Sequence, residues 1–160
     1  MNALLRAAHL PLLLGRLAIV AMVTVGLTGV TSAVAEPAHA TVSAGVGLRA
    51  VHVAATRRGA PYRWGAVGPH RFDCSGLTMW VFARLGKRIP RTAAQQYAAT
   101  RHIRSSSRRR GDLVFFKTRS GYVHHVGIYA GAGRLWHVSG TGDHVRRGRI
   151  WGRAWYGRVR

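Results

Sequence analysis

The segment FDCSGL, residues 72–77, contains the only cysteine in the 160-residue chain. Asp73 is one of the residue types that cap helix N-termini. The residues after it repeat apolar side chains at helical spacing, which predicts a helix over residues 74–85. The preceding stretch, APYRWGAVGPHRF at residues 60–72, is rich in Gly and Pro and is typical of a loop. The sequence therefore places the Cys74 thiol in the first turn of a helix, directly after a loop.

The position of this thiol suggests reactivity. The first turn of a helix carries unpaired N–H groups and a partial positive charge. Such a setting lowers the pKa of a thiol, and the same N–H groups can receive an oxyanion. An unpaired cysteine is also compatible with a buried and inert side chain, so the position of Cys74 alone leaves both interpretations open.

The remaining pattern predicts helices followed by an antiparallel sheet. Residues 46–58 have helical periodicity, and a short helix is expected from Thr92. The second half of the chain changes to short segments rich in β-branched and aromatic residues, punctuated by Gly. These predicted strands cover residues 112–118, 124–130, 134–140 and 144–151. This order predicts an α+β domain.

Two predicted strands supply histidines that can serve the thiol. His124 and His125 point to opposite faces of their strand, because side chains alternate along it. His125 shares its face with Gly127, over which a helix can approach closely, so we expect His125 to be the base. His137 lies in the next strand and neighbours His125 across a tight hairpin. We therefore expect His137 to fix the tautomer of His125 by a hydrogen bond.

The N-terminal residues predict export. A basic start, an apolar run over residues 17–30 and A-x-A sequences ending at Ala35 and Ala40 are typical of a secretory signal peptide. We expect a signal peptide over residues 1–40, cleaved after Ala35 or Ala40, and a secreted or wall-associated domain over residues 41–160. The alternative is an uncleaved membrane anchor, since Leu17 to Ala35 spans 19 residues, just enough to cross a bilayer.

The charge balance predicts an affinity for polyanions. Two of the 25 Lys and Arg residues and one of the four acidic residues precede residue 41, so 23 basic and three acidic residues leave a mature net charge of +20. Nucleic acid, anionic lipid and anionic cell-wall polymers are all compatible with such a surface. Because the chain is expected to be exported, we expect its Arg-rich surface to meet cell-wall polymers and not nucleic acid.

The shortage of acids and thiols argues against several kinds of site. No Glu follows residue 40, so few carboxylates are available to form the catalytic pair that glycoside hydrolysis uses. A single Cys and the absence of an H-E-x-x-H sequence argue against a zinc site. We therefore expect no metal and no cofactor.

Several blocks of the chain resemble one family. In order along the sequence, PYRWG, GPHRFDCSGL, IPRTAAQQ, GDLVFF, HHVGIYAG and RLWHVSG look like the NlpC/P60 family of cell-wall peptidases. The resemblance runs from about residue 46 to the C-terminus. It implies a papain-like α+β fold and hydrolysis of peptidoglycan stem peptides, typically between D-γ-glutamyl and a diamino acid.

The resemblance also implies roles for individual residues. Cys74 would be the nucleophile, His125 the base and His137 the third polar residue. Tyr62 would lie near the thiol and the oxyanion, and the free amino end of the stem peptide would contact a pair of side chains, Asp73 and Ser75. Trp64, in contrast, is expected only to pack within its loop.

Two other functions remain compatible with these residues. One is a catalytically inactive protein of the same fold that only binds peptidoglycan. The other is a thiol amidase or acyltransferase, which would use the same Cys and His groups. In each case we expect a monomer.

Overall fold

A computed structural model describes residues 43–160. The predicted signal peptide, residues 1–40, and its two expected cleavage sites lie outside the described residues. Within residues 43–160, no helix combines the length and the apolar character needed to cross a membrane.

Three helices come first in this part of the chain, and each begins at a side-chain cap. They are α1 (Ala44–Ala55), α2 (Cys74–Ala83) and α3 (Ala93–Ala99). Ser43, Asp73 and Thr92 each accept a hydrogen bond from a backbone N–H in the first turn of their helix. The three predicted helices are thus confirmed, although the first begins two residues and ends three residues earlier than predicted and the second ends two residues earlier.

Six antiparallel strands follow in the described residues. They are β1 (Arg101–Ile103), β2 (Leu113–Lys117), β3 (Val123–Gly131), β4 (Arg134–His137), β5 (Arg146–Arg149) and β6 (Trp155–Arg158). Their order in the sheet is β1-β6-β2-β3-β4-β5. The four predicted strands correspond to β2 to β5, so the α+β prediction is confirmed.

The prediction missed the two strands that extend one side of the sheet. β6 forms hydrogen bonds to both β1 and β2. Its sequence, Trp-Tyr-Gly-Arg, and that of β1, Arg-His-Ile, are too short to show an alternating pattern. They become strands through pairing between distant parts of the chain.

The sheet separates two apolar clusters. The helices pack on one face, against side chains such as Phe115, Val126 and Ile128. The other face carries a smaller cluster, which consists of Val114, Phe116, Tyr129, Leu135 and Tyr156. Because α2 packs against β3, the first turn of α2 comes close to the central strands.

A buried ion pair fixes β6 to the start of β2. Arg158 Nε donates to Asp112 Oδ1 at 2.7 Å, and the second guanidinium nitrogen donates to Oδ2 at 2.9 Å. The Asp112 carboxylate also accepts from the backbone N–H of Arg109, which closes the turn before β2. Both charged side chains are almost completely buried.

Asp112→Ala should therefore lower the free energy of unfolding by about 3 kcal/mol, because it leaves the Arg158 charge buried without its partner. Denaturant unfolding followed by circular dichroism measures this loss. Arg119→Ala, at an exposed position, is the control and should change the free energy by less than about 0.5 kcal/mol. Equal effects of the two variants would contradict this account of the ion pair.

Candidate active site

The thiol of Cys74 lies at the start of α2, in a pocket of about 330 Å³ between the loop at residues 60–72 and β3. The loop approaches the helix so closely that a Cβ at Gly76 would overlap the backbone carbonyl oxygen of Ala66. Glycine is thus required at position 76 for the helix to begin beneath this loop. This contact fixes the depth of the thiol in the pocket.

The carboxylate of Asp73 connects the segments around the thiol. Oδ1 accepts from the Gly76 N–H at 2.7 Å and from the Ser75 hydroxyl at 3.2 Å, and Oδ2 accepts from the Gly65 N–H at 3.0 Å. The Arg91 guanidinium forms an ion pair with the same carboxylate. Burial would raise the pKa of Asp73, but the hydrogen bonds from Arg91 and Gly76 hold it below its usual value.

Arg91 and Gln96 were not predicted as site residues. Gln96, which is completely buried, donates to the carbonyl oxygens of Ser75 at 3.0 Å and Pro90 at 2.8 Å. It thereby holds the segment that carries Arg91 against α2. The signal available in the sequence was the block IPRTAAQQ, in which a polar side chain lies on the buried face of a short helix.

His125 and His137 are brought together in the sheet. His125 Nε2 lies 3.2 Å from His137 Nδ1, and the two side chains are only 4% and 1% exposed. The hydroxyl of Ser139 lies 3.0 Å from the same Nδ1. The predicted neighbourhood of the two histidines across the hairpin is therefore present, whereas their catalytic roles stay predictions.

An irregularity in β3 determines where its two histidines point. The pairing with β2 shifts by one residue between Phe116 and Lys117, which lie opposite His125 and Val123. His124 is the extra residue of this bulge. The bulge breaks the alternation of side chains and leaves His124 exposed at the pocket that contains Cys74.

Glycine is needed at position 127 for a different reason from the one expected. A Cβ there would lie 2.7 Å from Leu135 Cδ1 and 3.1 Å from His137 Cβ. The close approach over Gly127 therefore comes from β4 and not from a helix. This glycine lets His137 lie across the strand beside His125.

The hydrogen bond between the imidazoles selects a tautomer for a basic His125. If Nε2 of His125 donates to Nδ1 of His137, Nδ1 of His125 keeps its lone pair and can accept a proton. The proton of His137 is then on its Nε2. That atom is buried and has no hydrogen-bond partner among residues 43–160.

Both imidazoles are held neutral. Burial, followed by the neighbouring His137 and His124, lowers the pKa of His125 to about 3. Burial, followed by the charge of Arg146, lowers the pKa of His137 to about 4. The nearby Asp143 carboxylate opposes these effects without cancelling them.

Asp143, to which the sequence assigned no role, supports the histidine pair. It accepts from the Ser139 N–H at 2.8 Å and from Arg146 Nε at 3.0 Å. Burial would raise its pKa, but these hydrogen bonds lower it to about 2. It thus fixes the loop between β4 and β5 beside His137 and carries a negative charge near neutral pH.

The thiol differs from the expectation for a helix N-terminus. Burial, with a contribution from the Asp73 carboxylate, raises the pKa of Cys74, although a hydrogen bond from the Val126 N–H lowers it in part. No hydrogen bond joins Cys74 to His125 in the part of the chain that the structure describes. At rest the thiol and the imidazole are therefore both neutral, and the expected lowering of the thiol pKa is wrong because burial outweighs the helix terminus.

Two aromatic residues of the preceding loop surround the thiol. Burial, then the nearby Cys74 and Asp73, raise the pKa of Tyr62, so its hydroxyl stays protonated and can donate a hydrogen bond. Trp64 does not pack within its loop as expected. Its side chain is 85% exposed and lines the same pocket as Cys74.

The family model described as NlpC/P60 matches residues 59–160, more than half of the chain. The chain belongs to the NlpC/P60 family. The matched range contains Cys74, both histidines and all six strands, so the resemblance predicted from sequence motifs is confirmed.

Named relatives of this NlpC/P60 chain extend the comparison. A probable endopeptidase of Corynebacterium glutamicum is 45% identical over 109 residues, which cover 68% of this chain and 50% of the relative. A bifunctional muramidase/DL-endopeptidase of Bacillus subtilis is 47% identical over 87 residues, which cover 52% of this chain and 26% of the relative. This chain thus spans half or less of the length of these relatives.

A solved structure shares the fold. The P60 domain of an antigen from M. avium subspecies paratuberculosis is 31% identical, with a TM-score of 0.65 over 72% of this chain and 95% of that domain. The helices on one face of an antiparallel sheet are therefore the NlpC/P60 architecture.

The lowered pKa values of the histidines predict acid sensitivity of this NlpC/P60 domain. Between pH 6.5 and about 4.5 the unfolded chain binds protons at both positions and the folded chain does not, so stability falls as the pH falls. The expected loss is about 2 kcal/mol for each histidine. Thermal unfolding at pH 7 and pH 4.5 measures it.

His137→Asn should remove about half of this acid sensitivity, because it deletes one buried titrating group. His124→Asn, at an exposed position, is the matched control. If both variants lose stability between pH 7 and pH 4.5 as the unsubstituted protein does, the burial of the pair is not the cause of acid sensitivity.

Proposed function

We propose that the protein is a secreted cysteine endopeptidase that hydrolyses peptidoglycan stem peptides, at the bond between D-γ-glutamyl and a diamino acid. One observation carries this proposal. The only thiol of the chain lies at the start of α2, in a pocket that His124 of β3 also lines. The neighbouring residue in β3, His125, is hydrogen-bonded to a second buried imidazole.

The relatives support the same reaction class. The Corynebacterium protein carries the name endopeptidase, and the Bacillus protein carries the name DL-endopeptidase. A linkage at a γ-glutamyl group is an amide, so its hydrolysis needs a nucleophile, a proton carrier and a stabilised oxyanion. We assign these tasks to the Cys74 thiol, to His125, and to the Cys74 N–H together with the Tyr62 hydroxyl.

In the first step, Nδ1 of His125 takes the thiol proton while the sulfur of Cys74 attacks the scissile carbonyl carbon. Because both groups are neutral at rest, proton transfer accompanies the attack and does not precede it. The Cys74 N–H and the Tyr62 hydroxyl donate to the oxyanion of the tetrahedral intermediate. The Val126 N–H stabilises the charge that develops on sulfur.

The intermediate then collapses. His125 returns its proton to the nitrogen of the leaving amine, the carbon–nitrogen bond breaks and a thioester remains on Cys74. Water gives a proton to His125 and attacks the thioester. The second tetrahedral intermediate collapses to a carboxylic acid and the Cys74 thiolate, and His125 returns its proton to the sulfur. Nδ1 of His137 accepts a hydrogen bond from the Nε2–H of His125 throughout and stabilises the imidazolium that forms between the two transfers.

Asp73 and Ser75 line the side of the pocket where the amino end of the stem is expected. Both side chains already form hydrogen bonds with Arg91, and the Ser75 hydroxyl accepts one from the Arg91 guanidinium at 3.0 Å. An arriving ammonium group would therefore share or replace Arg91 as the partner of Asp73. The Arg-rich surface is proposed to hold the enzyme on anionic wall polymers, since the mature chain has a net charge of +20.

Digestion of purified sacculi, with mass spectrometry of the released muropeptides, tests the reaction. Cys74→Ala should abolish release, and His125→Ala should lower it by at least about 100-fold, because it removes the proton carrier. His137→Ala should have a smaller effect. His137→Asn should retain more activity, since the amide oxygen of the Asn side chain can accept a hydrogen bond from the Nε2–H of His125. His124→Ala is the matched control from the same strand.

The alternatives give different products. An inactive binding protein would bind sacculi and release nothing. An amidase would release intact stem peptides from the glycan, and an acyltransferase would need an acceptor amine. Loss of activity in His124→Ala with retention in His125→Ala would contradict the assignment of the base.

Retention on sacculi should depend on salt, because exposed charges are screened beyond about 8 Å at physiological ionic strength. Neutralising Arg109 and Arg110, both exposed, should weaken retention and spare the hydrolysis of a small soluble stem peptide. Arg108 is kept, since its guanidinium lies over the rings of Tyr129 and Tyr156. Cosedimentation at increasing salt measures retention, and equal salt sensitivity of both substrates would show that the charge acts at the active site.

A further inference from the structure

Trp151 lies against the histidine pair although it is distant from it in sequence. The indole stacks on Phe116, with ring centroids 4.0 Å apart and an angle of 7° between the planes. Its centroid is 5.5 Å from that of His125 and 5.2 Å from that of His137. One side chain from the segment between β5 and β6 thus contacts both imidazoles on the sheet face opposite the helices.

The residues on either side of Trp151 anchor it. Ile150 and Ala154 both pack against the apolar cluster on this face of the sheet, which includes Phe116. The outer side of the indole remains open, with 43% of the residue exposed. Trp151 is therefore held on one side and faces solvent on the other, which is the geometry of a cover.

We propose that Trp151 is a positioning residue that shields the His125–His137 pair from water and holds the His125 ring against His137. This inference rests on the proposed function, because it assigns Trp151 a role in the same site. Trp151 contacts the base and its partner, and it needs no contact with the substrate.

The groups that face His125 show which property of this histidine Trp151 controls. On the sheet and its loops these are His137, His124, Asp143 and Arg146. The titratable side chain at the start of α2, on the helix side of the sheet, is Cys74. Among the influences on the pKa of His125, burial is the largest, so the exclusion of water affects this pKa more than any one neighbouring charge does.

Removal of the indole would admit water to both imidazoles and weaken this burial. His125 would then bind a proton at a higher pH and lose its function as a base over a wider acidic range. Phenylalanine at position 151 can keep the stacking on Phe116 and part of the cover. Alanine keeps neither.

Titration of the histidines by NMR tests the shield without any substrate. Between pH 7 and pH 5, His125 should stay neutral in the unsubstituted protein. In Trp151→Ala its midpoint should rise by about one pH unit or more, whereas Trp151→Phe should give a smaller rise. Arg153→Ala, in the same segment, is the matched control and should titrate as the unsubstituted protein does.

The pH dependence of kcat/KM gives the second readout. The acidic limb of Trp151→Ala should move to higher pH by the same amount as the NMR midpoint, with KM unchanged. An unchanged His125 midpoint in a folded Trp151→Ala protein overturns the proposal. A raised KM with an unchanged midpoint also overturns it and makes Trp151 a substrate contact.

The two readouts separate the two proposals. If the unsubstituted protein fails to hydrolyse sacculi, the proposed function fails while the NMR titration still tests the shield. If Trp151→Ala does not fold, as judged by its thermal transition, the His125 midpoint in Trp151→Phe tests the proposal. A midpoint equal to that of the unsubstituted protein then overturns the shielding role of Trp151.

Discussion

The carboxylate of Asp73 is the interaction on which the pocket depends. It caps α2, accepts from the loop at Gly65 and pairs with Arg91 from the segment before α3. Because one buried anion satisfies donors from all three segments, the thiol, the loop and the Arg91 side of the pocket form as a unit.

The histidine pair is built by different means. It relies on two features of the sheet, the bulge at His124 and the close approach of β4 over Gly127. The thiol therefore belongs to a helix terminus fixed by hydrogen bonds, and the base belongs to a sheet fixed by packing. The contact of α2 with β3 brings the two parts together.

Local signals were sufficient for part of this arrangement. The cap at Asp73, the Gly- and Pro-rich loop and the hairpin between β3 and β4 act over short distances, and they place Cys74, His125 and His137 correctly in the fold. The bulge at His124 was not predictable, because it exists only in the pairing with β2. The raised pKa of Cys74 was missed for a similar reason: burial depends on the whole fold, whereas the helix terminus is visible in the sequence. Trp151 reaches the histidines only because β6 inserts between β1 and β2, which a local pattern does not reveal.

The two edges of the sheet carry a consequence for self-association. β5 exposes Arg146, Arg147 and Arg149, and the opposite edge strand, β1, begins with the exposed Arg101. Two copies that met edge to edge would bring guanidinium groups together, so the charge blocks the strand pairing that leads to aggregation. This protection is electrostatic, and a dense polyanion cancels it. A polyanion that bound the protein would therefore also remove the repulsion that keeps its copies apart.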